Sequence, residues 1–395
     1  MENAHRPGGW EQAAEAPLPA TLEELLVRMV SFDTVNPLFG GRPGGEGALA
    51  AHLDTLALSW GLRTRRFSVD ERRFNLLVCA ERADDAEWLL CESHLDTVGV
   101  AGMTVAPFAA KVEGDRIYGR GTCDTKGSGA AMLWALREYA RSGGRPRNAG
   151  VLFVVDEEAR MTGAQRFASE GLREFLPRLR GVIVGEPTQL RPVVAHNGVV
   201  RWRTTTRGLA AHSADPAQGR SAISAMVRAV AAFETRYVPS VTAAHPLTGR
   251  AAASVNTIHG GTAVNIIPEF CAIECDRRTT PGETVEQVLR EREAAFGGEA
   301  VEHDALYAVP AMDERQSRAL HAWMTPVLAR HGCDATPRGA PYVTDASHYA
   351  AAGAPTLVLG PGDLAQAHRK DEWLAREQLA RAAEVYLDLM RAPVV

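Results

Sequence analysis

Six side chains that can bind a metal ion or move a proton are scattered over five short motifs of the chain. The motifs are Ser-His-Leu-Asp, Gly-Arg-Gly-Thr-Cys-Asp-Thr-Lys-Gly, Asp-Glu-Glu, Gly-Glu-Pro-Thr and Ala-His-Arg-Lys-Asp-Glu, and they contain His94, Asp124, Glu157, Glu158, Glu186 and His368. Imidazole and carboxylate groups are the usual ligands of zinc-like ions. Five of these six groups would serve a pair of ions and would leave one glutamate as a base.

Taken singly, each motif also has an ordinary structural explanation. A histidine after a strand is usually structural, an aspartate in a glycine-rich turn is common, and an adjacent glutamate pair usually lies in a solvated loop. Together the motifs favour a site, because acids that are buried at the ends of apolar strands must be paired with hydrogen-bond donors or cations. A pair of metal ions would supply those cations.

The spacing within the motifs suggests how the roles divide. His94 and Asp96 lie two residues apart on one face of a strand, so Asp96 can accept the second ring N–H of His94 or of a neighbour. Asp124 has two carboxylate oxygens and could bridge two ions. Glu157 and Glu158 are consecutive and cannot point at one metal in the same manner. One of them would bind metal, and the other would hold the attacking water and pass its proton to a leaving amine.

Other catalytic motifs are missing from the sequence. It contains no HExxH, no GxSxG and no P-loop, and Gly119-Arg-Gly121 leads to Asp124 rather than to a third glycine of a dinucleotide fingerprint. The net charge is −5 without a basic stripe, so we expect no nucleic-acid partner. We expect no membrane partner either, because no apolar run reaches the roughly 18–20 residues that a bilayer span needs.

The remaining composition favours a cytoplasmic globular protein. Residues 1–20 have neither the basic nor the apolar region of a signal peptide and predict a loosely held arm. The six cysteines contain no CxxC pair, so we expect buried free thiols in a reducing compartment. Cys271 and Cys275 should share one face of a strand. A length of 395 residues exceeds what one core usually serves and predicts two domains.

Apolar runs alternate with helical segments over most of the chain, which predicts an α/β domain with a mixed, largely parallel sheet and helices on both faces. The predicted strands are 75–80, 88–93, 150–155, 181–185 and 356–360, and the predicted helices are one after Thr21, then 48–60, 128–141, 163–170 and 375–391. His94, Glu157 and Glu186 each come just after a strand. Open α/β sheets carry their sites at that edge, so we expect one shared site.

The pattern changes near residue 199, where polar and apolar residues begin to alternate as in a strand with one buried face. A strand at 199–206, a helix at about 221–237, two strands around Gly260-Gly261 and a helix at 284–296 predict a small α+β sandwich. The α/β character returns after residue 304. We therefore predict a discontinuous domain of residues 1–198 and 305–395, interrupted by an inserted domain of residues 199–304.

The motifs SHLDTV, GRGTCDTKGS, DEEARMTGA, GEPT, AAHSADPAQGRSAI and TLVLGPGDLAQAHRKDEW occur together and in this order. From about residue 21 to 390 the chain resembles the dinuclear zinc amidohydrolases, a family that includes acetylornithine deacetylase, succinyl-diaminopimelate desuccinylase, aminoacylase and glutamate carboxypeptidase. The GEPT, HSADPAQG and LVLGPG segments look most similar to the acetylornithine deacetylase branch.

The resemblance implies a role for each position of the metal site. His94 and Glu186 would hold one zinc, Glu158 and His368 the other, and Asp124 would bridge them. Asp96 would orient the His94 side, and Glu157 would be the general acid and base. The peptide bond after Asp124 is often cis in the family. Cobalt or manganese could replace the two zinc ions per subunit.

The resemblance also implies that the inserted domain is a lid that forms a homodimer. His212 would reach the partner subunit's site and stabilise the oxyanion, Arg278 would bind a substrate carboxylate, and Asn265 would lie near the substrate. His212 could instead cap a turn, and Arg278 could be a surface ion pair, with Arg277 as the neighbouring candidate. Two positions depart from the usual pattern or add charge: Ser93 replaces a common glycine, and Arg160 either touches an acidic substrate or points to solvent.

The implied activity is the hydrolysis of an amide bond in a small N-acyl amino acid by water that the metal pair activates, with Glu157 as the base. Deacetylation of acetylornithine or a related compound is the first expectation. An exopeptidase, carboxypeptidase or dipeptidase and a desuccinylase are the alternatives within the family. A catalytically inactive dimeric protein that binds small molecules is the alternative from another class. The acyl group, the side chain and the native metal do not follow from the sequence.

Overall fold

The computed structural model describes residues 17–83 and 85–394, so most of the predicted arm of residues 1–20 lies outside the described residues. Two compact units divide the chain. The first contains the described residues up to Val194, together with Glu314–Arg338 and the chain from Thr344 onward. The second contains Ala195–Asp313 and Gly339–Val343.

The strands are numbered in chain order. They are β1 (Arg63–Ser68), β2 (Phe74–Ala80), β3 (Trp88–His94), β4 (Lys111–Glu113), β5 (Arg116–Tyr118), β6 (Asn148–Val154), β7 (Leu179–Val184), β8 (Val193–His196), β9 (Gly198–Arg207), β10 (Ala211–His212), β11 (Ala244–His245), β12 (Gly249–Arg250), β13 (Ala252–Gly260), β14 (Ile266–Ile267), β15 (Phe270–Thr279), β16 (Val301–Val309), β17 (Arg338–Ala340), β18 (Thr356–Val358) and β19 (Trp373–Ala375).

The α-helices are α1 (Leu22–Val30), α2 (Gly45–Ser59), α3 (Lys126–Arg141), α4 (Thr162–Arg166), α5 (Ala222–Ala232), α6 (Val238–Ser240), α7 (Val285–Ala295), α8 (Glu314–Arg330), α9 (Ala346–Ala351) and α10 (Arg376–Arg391). Short 3-10 turns occur at Pro37–Phe39, Leu172–Glu174, Leu176–Arg178, Pro216–Gln218 and Leu364–Gln366, and π-helical turns at Phe167–Gly171 and Phe233–Tyr237. Within the described residues, no helix is both long and apolar enough to span a bilayer.

An eight-stranded sheet in the order β1-β2-β6-β3-β7-β18-β8-β17 is the frame of the first unit. Its centre is parallel, because β3 pairs in parallel with β6 and β7, and β18 pairs in parallel with β7. The outer pairs β1–β2, β2–β6 and β18–β8 are antiparallel. The predicted mixed, largely parallel sheet is therefore confirmed, and its four central strands end at the same edge.

Apolar side chains of the strands pack against helices, which explains why these segments are so hydrophobic. Leu89 and Cys91 of β3 belong to a core shared with α1, α2, α3, α8 and α10, whereas α9 packs beside β7 and β18. The helix predicted after Thr21 is present, and Thr21 caps it by accepting a hydrogen bond from the backbone N–H of Glu24. Within the described residues, all six cysteines are free, and five of them are buried.

The second unit is an α+β sandwich. Four antiparallel strands in the order β13-β15-β9-β16 form its sheet, and α5 and α7 contribute to the core on one face. Cys271, Ile273 and Cys275 alternate inward along β15, which confirms the predicted common face of the two cysteines.

The sequence reading had missed β16, and the predicted junction at residue 304 lies within this strand. The strand lies at one edge of the four-stranded sheet. Its residues are mostly exposed, and a register shift between Ala305 and Tyr307 interrupts the alternation of buried and exposed residues that would mark it as a strand.

Candidate metal and active site

Strand ends bring four of the predicted site residues to one edge of the large sheet. β3 ends at His94, β6 ends at Val154 just before Glu157 and Glu158, and β7 ends at Val184 just before Glu186. Because these strands are parallel, their carboxyl ends lie side by side. Asp124 lies two residues before the first residue of helix α3, and His368 lies two residues after the 3-10 turn that follows β18. Both side chains therefore come to the site from loops.

Asp124 occupies the middle of the assembled site, and its two oxygens face different partners. Oδ1 lies 3.0 Å from Nε2 of His94, and that same ring nitrogen is 3.6 Å from Oε1 of Glu186. Oδ2 lies 3.5 Å from Nε2 of His368, which is 3.0 Å from Oε2 of Glu158. The five predicted ligands therefore form two halves that share one carboxylate.

Two sets of ligand atoms are compact enough to surround a metal ion. One is His94 with Asp124 and Glu158, and the other is His94 with Glu157 and Glu186; within each set the ligand atoms lie within 4.8 Å of one another. Glu157, the predicted base, is therefore also close enough to His94 and Glu186 to bind a metal ion with them. Distance alone does not separate the predicted base from the predicted ligands.

The electrostatics of the site indicate a missing positive charge. Burial, together with the charge of Asp124, raises the pKa of Glu158 to about 7. Burial and the neighbouring carboxylates also raise the pKa values of Glu157 and Glu186 well above their ordinary range. Oε1 of Glu158 is buried, with no hydrogen-bond partner within the described part of the chain. Cations would relieve the crowding, because an ionised carboxylate is costly to bury alone.

The two histidines respond in the opposite sense. Hydrogen bonds to Asp124 and Glu158 raise the pKa of His368 to about 10. Burial acts to lower the pKa of His94, but the hydrogen bond to Asp124 and the charge of Glu186 outweigh it, and the pKa is raised. Burial likewise opposes ionisation of Asp124, yet hydrogen bonds with His368 and His94 hold its pKa below the ordinary value. In the metal-free site, protonated imidazoles thus supply the positive charge that bound metal ions would otherwise supply.

Asp96 contacts its neighbours differently from the sequence expectation. Nδ1 of His94 lies 3.0 Å from the main-chain oxygen of Asp96 and 3.6 Å from its carboxylate, so the ring donates to the carbonyl. A carbonyl can only accept, which assigns the proton to Nδ1 and directs Nε2 into the site. The Asp96 carboxylate instead accepts the backbone N–H groups of Glu157 (3.0 Å) and Glu158 (3.1 Å). Asp96 therefore orients the glutamate pair as well as His94.

Asn36 is a site residue that the sequence reading did not single out. Its side-chain amide donates to Oδ2 of Asp96 at 2.9 Å and to Oδ1 of Asp156 at 3.0 Å, and it is almost completely buried. The residue begins a segment rich in glycine and proline, for which the sequence predicts no regular structure. A polar asparagine between Val35 and the Pro-Leu-Phe segment 37–39 was the available signal.

The smaller predictions around the site can also be placed. The Asp124–Thr125 peptide bond is cis. Ser93 is buried, and its hydroxyl donates to the main-chain oxygen of Thr125 at 3.0 Å, so a small side chain is accommodated there. Arg160 is exposed, in agreement with the solvent-facing alternative.

The second unit carries the predicted lid residues. His212 in β10 and Asn265 just before β14 are neighbours, because the backbone N–H of Ser213 donates to the main-chain oxygen of Asn265 at 3.0 Å. Both residues are exposed. Nδ1 of His212 also accepts the N–H of Ala214 at 3.1 Å, so the turn-capping contact that was the alternative is present. The turn contact uses Nδ1 only and does not involve Nε2, the other ring nitrogen.

Arg277 and Arg278 lie on opposite faces of β15. Arg277 is buried and forms an ion pair with Glu283, so its role is structural. Arg278 lies on the other face and donates from Nε to Oδ1 of Asp276 at 2.7 Å. That bond uses Nε, and the two terminal nitrogens carry the N–H donors that a carboxylate could engage. Of the two neighbours, Arg278 is therefore the one with an accessible guanidinium group.

Comparison with known proteins gives matches along most of the chain. A family model described as Peptidase family M20/M25/M40 matches residues 90–392. An acetylornithine deacetylase from Edwardsiella ictaluri is 32% identical over 375 residues, covering 86% of this chain and 90% of that protein. A probable carboxypeptidase from Aspergillus terreus is 32% identical over 348 residues, covering 82% of this chain and 75% of that protein.

A solved structure shows the same fold. It is a dinuclear metal-binding peptidase of the M20 family from Bacillus subtilis, with a TM-score of 0.66 and 16% sequence identity, and the match covers 93% of this chain and 97% of that one. The α/β architecture with additional antiparallel sheets is therefore shared with a known metallopeptidase.

Proposed function

The chain belongs to peptidase family M20/M25/M40 and is a metal-dependent hydrolase, and we propose that it removes the acyl group from a small N-acyl amino acid, with acetylornithine as the first candidate. The observation that carries the proposal is the position of Asp124. Its two oxygens face two imidazole–carboxylate pairs, as a bridging ligand of a metal pair requires. The similarity to acetylornithine deacetylases supports the substrate class.

The donor set fits two metal ions. His94 and Glu186 would hold one ion and Glu158 and His368 the other, with Asp124 shared between them. Zinc suits a set of imidazoles and carboxylates, and cobalt or manganese are acceptable substitutes. When bound, the ions would polarise the acyl carbonyl and acidify the attacking water.

Glu157 is the residue proposed to move the proton. Its backbone N–H is held by Asp96, and its raised pKa allows the carboxylate to accept a proton from water and to release it to the leaving amine nitrogen. Glu158 is proposed as the ligand because its carboxylate contacts His368, whereas no such contact links Glu157 to that histidine in the described chain. The neighbouring residues thus distinguish Glu158, the proposed metal ligand, from Glu157, the proposed base.

The second unit is proposed to recognise the substrate and to join two copies of the chain. Arg278 would bind the α-carboxylate, Asn265 would lie beside the substrate, and His212 would donate a hydrogen bond to the oxyanion in the other copy's site. The accessible guanidinium of Arg278 supports the first role, and Nε2 of His212, which has no hydrogen bond within the described part of the chain, supports the last. The proposed enzyme is therefore a homodimer.

A second candidate within the family is an exopeptidase that removes one amino acid from a small peptide. The 32% identity to a probable carboxypeptidase favours it, and both reactions break an amide bond beside a free carboxylate. A desuccinylase would use the same chemistry with a second carboxylate on the acyl group. The three differ only in the group that the acyl side must accommodate.

A hydrolysis screen separates these candidates. The purified protein is incubated with N-acetyl, N-succinyl and N-formyl amino acids and with dipeptides, with and without a chelator, and bound metal is measured in parallel. We expect two metal ions per chain, highest turnover on N-acetyl amino acids and loss of turnover with the chelator. Turnover confined to dipeptides would favour the exopeptidase. Absence of metal after reconstitution, with no turnover of any substrate, would instead support the inactive binding protein.

A further inference from the structure

Glu372 lies in the same loop as His368, four residues further on, and its side chain is fully buried. Both carboxylate oxygens accept two hydrogen bonds. Oε1 accepts the backbone N–H groups of Cys123 at 2.7 Å and Asp124 at 2.9 Å. Oε2 accepts the N–H of Gly121 at 3.0 Å and Nη1 of Arg120 at 2.8 Å. One side chain thus holds most of the loop that carries the shared carboxylate.

The backbone of Glu372 strengthens the same connection. Its carbonyl oxygen accepts the N–H of Gly119 at 3.0 Å, and the residues that follow form β19, which pairs with β5 just before the loop. Arg120 is held in turn, because its Nε and Nη2 donate to the main-chain oxygen of Gly99. The segments around residues 119–125 and 368–375 are therefore joined both by a strand pair and by a side-chain clamp.

Stability alone does not require this arrangement. The ion pair with Arg120 compensates much of the cost of burying the Glu372 carboxylate. The remaining three bonds go to backbone groups of a loop, and one of them is the N–H of Asp124 itself. Through that bond, the Glu372 carboxylate holds the main chain of Asp124 at a fixed distance from the segment that carries His368.

We propose that Glu372 is a positioning residue that sets the separation of Asp124 and His368, and thereby the affinity of the metal half that these two residues share with Glu158. The inference rests on the proposed function, because it takes Asp124 and His368 to be metal ligands. The other half depends less on Glu372, since His94 and Glu186 are carried by neighbouring parallel strands of the central sheet. His368, by contrast, lies on an exposed loop.

The test uses two substitutions and a matched control in the full-length protein. Glu372→Gln keeps the shape but places an N–H₂ group among N–H donors, and Glu372→Asp keeps the charge but is one methylene too short to reach all four donors. Glu283→Gln is the control, because Glu283 also pairs with a buried arginine and accepts a backbone N–H, that of Thr280 at 2.8 Å. Of these two glutamates, Glu372 contacts a predicted metal ligand, and Glu283 contacts none among the described residues.

Bound zinc per folded chain and zinc affinity by chelator competition are the measurements, and circular dichroism gives the folded fraction. Residues that orient metal ligands typically change affinity by about 10–100-fold when they are replaced. We expect both Glu372 variants to retain one tightly bound zinc and to bind the second roughly 10–100-fold more weakly. We expect Glu283→Gln to bind two zinc ions as the wild type does.

Two tight zinc sites in either folded Glu372 variant would overturn the inference, and so would equal weakening in the Glu283 control. Failure of both Glu372 variants to fold would also overturn it, since the residue would then serve the fold rather than the placement of ligands. If the wild type itself binds no zinc, the proposed function fails instead. A wild type with two zinc ions therefore separates failure of this inference from failure of the proposed function.

Discussion

The two units use the same charged residue types in different ways. In the first unit, carboxylates gather in a buried cluster whose charges are incompletely compensated: both oxygens of Asp345 and one oxygen of Glu92 are buried without a hydrogen-bond partner among the described residues. In the second unit, charges alternate in sign across one face of a sheet. Arg201 pairs with Asp276 at 2.8 Å, Arg203 with Glu274 at 2.7 Å and Arg207 with Glu302 at 3.2 Å.

The contrast separates charge that stabilises a surface from charge that awaits a ligand. Exposed pairs such as Arg203–Glu274 and Arg207–Glu302 contribute about 0–1 kcal/mol each and need nothing further. Buried carboxylates that crowd one another cost free energy unless a cation joins them. The buried carboxylate cluster of the first unit therefore marks the place where metal would bind. The ladder of paired charges on the sheet of the second unit, which consists of Arg201–Asp276, Arg203–Glu274 and Arg207–Glu302, does not. Arg278 lies on the same face of that sheet, and its proposed partner is the carboxylate of a substrate.

The largest expected effect comes from the centre of the buried cluster. Glu157→Gln should reduce kcat by about 10²–10⁴-fold, because the variant can no longer accept the proton of the attacking water. Bound metal should stay at the wild-type level, since Glu158 and not Glu157 is the proposed ligand. Steady-state kinetics with metal analysis check both parts. A variant that loses metal along with activity would exchange the roles of the two glutamates.

Strand β15 carries one buried and one accessible arginine side by side, Arg277 and Arg278. Arg278→Ala should raise KM by roughly 10–100-fold for substrates with a free carboxylate, because a hydrogen bond to a charged group is worth about 1.5–3 kcal/mol, and should leave amidated analogues unaffected. Arg277→Ala breaks a buried pair with Glu283 and should destabilise the protein by about 3–5 kcal/mol. Kinetics on matched acid and amide substrates, together with denaturant unfolding, separate the two. A similar KM change for both substrate types would contradict the role of Arg278.

The sequence predicted most of the regular structure and the site because both depend on local patterns. Apolar runs predicted the central strands, and polar residues immediately after them predicted where His94, Glu157 and Glu186 lie. The sequence did not predict β16, because the register shift between Ala305 and Tyr307 breaks the period of two that indicates a strand. It did not predict the contacts of Asn36 or Glu372 either. Asn36 donates to two carboxylates and Glu372 accepts mostly backbone N–H groups, and all of these partners lie far away in the chain. Contacts of this kind leave no periodicity in the sequence.

The metal-free site should make stability fall as pH rises. Folding raises the pKa of Glu158 to about 7 from its ordinary value of 4.5, so the stability from its protonated form is full below pH 4.5 and is lost as pH rises through 7. The raised pKa of His368, about 10, acts in the same sense between pH 6.5 and 10. Bound metal should reverse this, since it requires deprotonated ligands.

Thermal unfolding between pH 6 and 9, with chelator and with zinc, measures that prediction. We expect the melting temperature of the metal-free protein to fall by several degrees and the stabilisation by zinc to grow over the same range. His52 and His348 oppose this trend only at the acid end of the range, because burial lowers their pKa values to about 4 and their contribution begins to be lost as pH falls below 6.5. A metal-free melting temperature that rises with pH would contradict the assigned charge imbalance.

The smallest expected effect belongs to the ladder of the second unit. Arg203 and Glu274 pair at 2.7 Å, and both side chains are more than a third exposed. A double-mutant cycle with Arg203→Ala and Glu274→Ala should give a coupling free energy of about 0–1 kcal/mol, because water and salt screen the pair. Raising the ionic strength should reduce the coupling further. A coupling comparable to that of the buried Arg277–Glu283 pair would mean that this face is covered in the native protein, as it would be if a second copy packed against it.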